Sequence, residues 1–314
     1  MYGPKCTATA CFHMKNATYL FKAVVLFVNI APENVKKSAS ATMKKKNWIF
    51  WTLTIIITLV SVVYQRATGP TYPLKGKALI GNETISYKLL RSYGGPDNAE
   101  ISIPEPGGRI NGTFSFKRFK SHDEWTEVPM IHQGGKLVAY IPHQPPAGKV
   151  MYSITLSDGV TDVKLTEEPV VLRFKGHVPA GVLIPHIILM FLAMLLSTRT
   201  GIEALFNGSN TYKLALFTTI SLIIGGLILG PMVQKHAFDA YWTGWPFKGL
   251  FNFGDMTDNK TAVAAIAWVL ALVQARRNPP AKAWVIAAAV IMLLVYLIPH
   301  SMLGSEIDHT ALPK

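Results

Sequence analysis

Apolar residues along this chain fall into two arrangements. In one they form long runs: Trp48 to Tyr64, Val178 to Leu196, Leu214 to Val233, Ala262 to Val273 and Ala283 to Pro299. In the other they alternate with polar residues, as in Thr84–Leu89, Gly112–Lys117, Lys136–Ile141 and Val150–Leu156. A helix needs ~20 apolar residues to cross hydrocarbon, and the fourth run approaches that length when counted from Lys260 to Ala275. Period-two alternation fits strands that bury one face. Turn clusters separate these stretches, among them Gly94-Gly95-Pro96-Asp97, Gly134-Gly135 and Ser157-Asp158-Gly159. The predicted fold class is therefore a membrane α-helical bundle of five spans plus an extracytoplasmic all-β sandwich. The immunoglobulin-like or fibronectin-like type is expected, although no Cys…Trp…Cys signature is present.

The flanks of the runs predict orientation. Met43 opens Met-Lys-Lys-Lys-Asn before the first run, the grammar of a translation start followed by a signal anchor. No small-x-small cleavage site follows that run, so the anchor is expected to stay uncleaved. Residues 1–42 read as a leader or disordered extension and 43–65 as the signal-anchor helix. The extracytoplasmic β-domain then takes 66–177, a four-helix transmembrane bundle 178–304, and an outer tail 305–314. Arg199, Lys213, Arg276, Arg277 and Lys282 fall in loops assigned to the cytoplasmic side, whereas the loop from Gln234 to Lys260 is aromatic and carries Asp239, Asp255 and Asp258. This arrangement is expected of a bacterial inner-membrane protein with residues 66–177 in the periplasm or outside.

Charge adds little against this. The formal net charge is +13, with 50% hydrophobic and 16% charged residues, below the ~25% charged of a soluble domain. Many basic residues flank apolar runs, and no basic stripe is interleaved with aromatics, so no nucleic-acid partner is expected. The two cysteines, Cys6 and Cys11, lie near the amino end. The middle of the chain must therefore fold without a disulfide framework or a Cys-rich metal site.

Catalytic signatures are missing: there is no Gly-x-Ser-x-Gly elbow, phosphate loop, His-Glu-x-x-His or dinucleotide fingerprint. Histidines are the more informative residues. Counting ~1.5 Å per residue from Arg199 and Lys282 puts His186 and His300 in the outer half of the bundle. There they form a candidate cofactor-binding pair for haem b or a divalent metal. A second candidate set, for a divalent metal, is His236, Asp239, Asp258, Glu306, Asp308 and His309, which the five-span topology brings to one outer face. The blander alternatives are structural histidines that hydrogen-bond a neighbouring helix, and solvated loop carboxylates. Pro185 and Pro299 precede His186 and His300 and free backbone groups for such bonds. The leading functional expectation is a non-catalytic multi-pass membrane protein whose β-domain binds a membrane or extracytoplasmic protein partner or a neighbouring subunit. The alternative is a redox or metal-handling membrane protein that uses the outer-half histidines.

Overall fold

In the computed structural model the described residues are 36–241, 256–299 and 306–310, with side chains from Asn47 onward. Eleven strands occupy the middle of the chain: β1 Leu74–Ile80, β2 Glu83–Leu89, β3 Ser92–Tyr93, β4 Ala99–Pro104, β5 Asn111–Arg118, β6 Thr126–Pro129, β7 Ile131–Gln133, β8 Lys136–Ile141, β9 Lys149–Ser157, β10 Asp162–Lys164 and β11 Val170–Phe174. The alternation of β9 is complete, with Val150, Tyr152, Ile154 and Leu156 buried and their neighbours partly exposed. β1 and β2 form a hairpin, β4-β8-β7 a second sheet, and β3-β11-β9-β5-β6 a third in which β10 also pairs with β9. All three sheets contribute to one apolar core, with Ile80 and Leu89 from the hairpin, Ile101 and Leu137 from the second sheet, and Phe114, Ile154 and Leu172 from the third. Burying each such side chain stabilises the domain by about 1.5–3 kcal/mol. Tyr152, within this core, donates its hydroxyl to Leu90 O at 2.7 Å, so its one polar group is satisfied.

The expected all-β sandwich is met only as a sheet-rich region. β3 runs parallel to β11, with Ser92 opposite Arg173. It is two residues long, because Gly94-Gly95-Pro96 follows it and a proline cannot extend a ladder.

The helices are α1 Lys36–Thr68, α2 Ala180–Leu205, α3 Thr211–Leu222, α4 Gly230–Phe238, α5 Met256–Arg277 and α6 Lys282–Leu297. Between α3 and α4 the residues Ile223–Leu229 continue the helix with π winding. Among the described residues four helical stretches are long and apolar enough to cross a membrane: Asn47–Thr68, Ala180–Leu205, Thr211–Phe238 and Met256–Arg277. The fifth expected span, α6, has only 16 residues. Its end is set by Pro299, which disfavours helical geometry at the residue before it, and Ile298 is accordingly extended with ψ 119°. Two further expectations need correcting. Arg199 lies inside α2 and is buried, not in a cytoplasmic loop, because α2 continues nine residues beyond Leu196 to Leu205. Asp258 lies in the first turn of α5, also buried, rather than in the outer loop; a carboxylate there complements the helix dipole.

The chain divides into two compact units. Over the described residues, one comprises 36–62, Leu189–Ile223 and Ala262–Ile298; the other comprises Val63–Ile188, 224–241, 256–261, Pro299 and 306–310. The interior of the first is rich in small residues, with Ala193, Ala204, Ala215, Ala264, Ala271 and Ala288 packed around a fully buried Trp268. Small residues let helix backbones approach closely. Gly201 illustrates the limit: an added Cβ would lie 2.8 Å from Ala289 Cβ.

Candidate functional site

The first candidate is built around His186, in the unit that contains the strands. Pro185 sits inside α2 and supplies no backbone donor of its own. The His186 ring reaches the π-wound segment, where Nδ1 lies 2.8 Å from Gly225 O. A carbonyl only accepts, so Nδ1 carries the proton and Nε2 is left with its lone pair. Gly225 is buried, without a side chain to obstruct the contact. Gly230 leaves similar room, since a Cβ there would sit 3.8 Å from the ring Cε1. Single π turns recur at functional sites because they break the regular ladder and re-aim carbonyls. Its expected partner His300 lies outside the described residues.

The remaining predicted ligands are engaged in other contacts. Asp239 closes α4 with φ 58°, a left-handed conformation that Asp tolerates, and pairs with Lys235 at 2.6 Å. His236 is exposed on the last turn of α4. Asp258 accepts from Gln234 Nε2 at 3.3 Å. Glu306 is held between Lys120 and Lys149, with Lys149 Nζ donating to Oε2 at 2.5 Å. Burial alone would raise its carboxyl, but the hydrogen bonds from both lysines outweigh this and hold it below the usual carboxylate range. Asp308 accepts from Thr310 N and Oγ1 at 2.9 and 2.6 Å. His309 donates its backbone N–H to Lys120 O at 2.9 Å, and its Nδ1 lies 3.4 Å from Arg118 Nη1. Arg118 also chelates Asp123 through Nε and Nη2, and this hydrogen bonding lowers the Asp123 carboxyl to about 2. Among the described residues no group of three or more His, Cys, Asp or Glu side chains is arranged to hold a metal ion.

The tail thus docks on the β-rich domain, and the end of α4 does the same. Gly176 N donates to Ala237 O at 2.9 Å, and the Arg173 guanidinium lies 3.6 Å from the centroid of the Phe238 ring. Glycine is required at 176, because a Cβ would collide with the His236 carbonyl.

In the other unit the structure reveals an ionic site absent from the sequence-derived candidates. Arg199 and Glu203, both under 5% exposed, meet at 2.7 Å between Nη1 and Oε2, without the alignment of a hydrogen bond. Arg199 Nη2 donates to Asn47 Oδ1 at 2.7 Å, and the guanidinium lies over the Trp51 ring at 5.4 Å. Glu203 Oε1 accepts from Asn210 N at 3.1 Å. One ion pair thereby ties α1, α2 and the start of α3. A line of buried hydroxyls accompanies it, with Thr200 and Thr218 in contact at 3.4 Å and Thr219 3.5 Å from Trp268 O. The available signal was the i,i+4 spacing of Arg199 and Glu203 at the end of an apolar run, which lets two opposite charges neutralise one another on one helix face.

Neither protein-family models, nor curated proteins, nor solved structures match this chain.

Proposed function

We propose that this is a non-catalytic multi-pass membrane protein whose β-rich domain stands outside the cytoplasm and docks a protein partner or a neighbouring subunit. The observation that carries the reading is the way the domain is held. The Gly176–Ala237 hydrogen bond and the Arg173–Phe238 stack fix its base to the end of α4, and Lys120 and Lys149 hold the tail at Glu306. A domain fixed this way presents a constant surface, which reduces the ordering cost of binding. The opposite end is where the β1–β2 and β9–β10 turns meet, since a Cβ on Gly81 would contact Asp158. That end carries exposed Leu79 and Val160, 65% and 94% accessible. We read the domain as a sandwich of the immunoglobulin or fibronectin type, on the grounds that its sheets share one core.

Five crossings fit this arrangement. The tail residues Glu306 and His309 contact the β-rich domain, so an even number of crossings separates Phe174 from Glu306. Counting α6 as a crossing satisfies that parity. Its ~24 Å, at ~1.5 Å per residue, is short of a ~30 Å core but within what local thinning and flanking residues accommodate.

Native electrophoresis of the protein solubilised in mild detergent tests the docking reading. The protein should migrate as a species larger than one chain, and Leu79→Glu with Val160→Glu should return it to single-chain size. Migration at single-chain size before any substitution would contradict it.

A second reading has one specific support: the bond to Gly225 O orients His186 as a ligating imidazole is oriented, with Nδ1–H donated and Nε2 presented. Haem b or a divalent metal held there should give a visible absorption band or a stoichiometric metal content that His186→Ala removes. A featureless spectrum with no bound metal sinks this reading and leaves the first in place.

A further inference from the structure

On the β-rich domain an open concavity of 380 Å³ is lined by Lys75, Lys88, Lys136, Glu100, Ser86 and Ser102, among others. Two of the lysines are directly opposite each other on β1 and β2, in register Lys75↔Lys88. Lys136 arrives from β8, where it is paired with Pro104 of β4. Like charges placed opposite one another across an antiparallel pair destabilise it. Among the described residues none of these lysines forms an ion pair, and Lys75 has only the Tyr72 ring at 5.8 Å. Three ammonium groups against the single Glu100 carboxylate give the concavity a net charge of +2. Ammonium groups act as point charges on tetrahedral oxyanions, and the two serine hydroxyls add neutral donors.

From this we propose that the concavity binds a dianionic phosphate group. A phosphoryl group carries about −1.5 to −2 charges near neutral pH, which matches the site and relieves the Lys75–Lys88 repulsion. The volume lies within the ~300–1,000 Å³ of small-molecule sites, so the phosphate has room to be part of a larger ligand. Free phosphate esters and phosphomonoester lipid headgroups share this chemistry. The inference stands apart from protein docking at Leu79 and Val160 and does not depend on it.

Phosphorus NMR on the full chain in phospholipid-free dodecyl maltoside tests it, with inorganic phosphate as one probe and dihexanoyl phosphatidic acid as the other. Inorganic phosphate should broaden saturably. Lys88→Gln and Lys136→Gln, both exposed positions that leave the core untouched, should each weaken affinity about fivefold, and Lys164→Gln on β10 should leave it unchanged. A response to phosphatidic acid alone, with the same lysine dependence, assigns the site to a headgroup. No saturable response to either probe, or equal affinity in all three variants, would overturn the proposal.

Discussion

Arg199 and Glu203 are the residues where energetics constrain the molecule most sharply. Both are buried in α2, and each is the other's charge partner. Removing one partner of a buried pair strands the other charge, at a cost of about 3–5 kcal/mol, whereas replacing both by apolar residues of similar volume is close to neutral. Arg199→Met or Glu203→Met alone should therefore sharply lower the melting temperature of the detergent-purified protein. The double replacement should recover most of the loss. Single variants that melt like the wild type would show that the pair is not the tie between α1 and α2 inferred from Asn47 and Trp51. This pair was hidden from hydropathy because a window sums charges individually and ends a span at Leu196. The spatial pairing that permits the helix to continue is invisible to such a sum. His186 was the reverse case: its rarity within an apolar run marked it at once, but its hydrogen bond to Gly225 depends on a π winding that no residue pattern announces.

Among elements, strands were the most legible. Alternation in β5 and β9 reported burial directly, because one face of each strand lies in a shared core, whereas β8 also buries Val138 on its other face. What stayed hidden were connections between distant segments, and the tail is the clearest example. Glu306 meets Lys149 across 157 positions, so its sequence neighbours say nothing of its partners. Hence Glu306, Asp308 and His309 suggested metal ligation, while the structure pairs Glu306 with two lysines. The docked tail depends on pH in a definite direction. Glu306 is held below the usual carboxylate range when docked, so its contribution is complete above that range and disappears as pH falls through its lowered value. Hydrogen exchange at the His309 amide, which donates to Lys120 O, reads the docking directly. Glu306→Gln should accelerate that exchange at neutral pH by about five- to tenfold. Acidification should do so in the wild type once the intrinsic pH dependence is removed. Protection unchanged in Glu306→Gln would mean that the lysine contacts do not hold the tail.

At the scale of the whole molecule, the proposed function depends on which segments share a side of the membrane. The β-rich domain carries the proposed docking tip and the lysine-lined concavity, and the tail contacts it through Lys120 and Lys149. The proposed five-crossing topology puts both on one side of the membrane and the turn between α5 and α6 on the other. Single-cysteine labelling with a membrane-impermeant maleimide measures this, after Cys6 and Cys11 are changed to serine. Val160→Cys in the β9–β10 turn and Thr310→Cys in the tail should both be modified in intact cells. Asn278→Cys should react only after permeabilisation. Modification of Asn278→Cys in intact cells, or of only one of the other two, would contradict the arrangement.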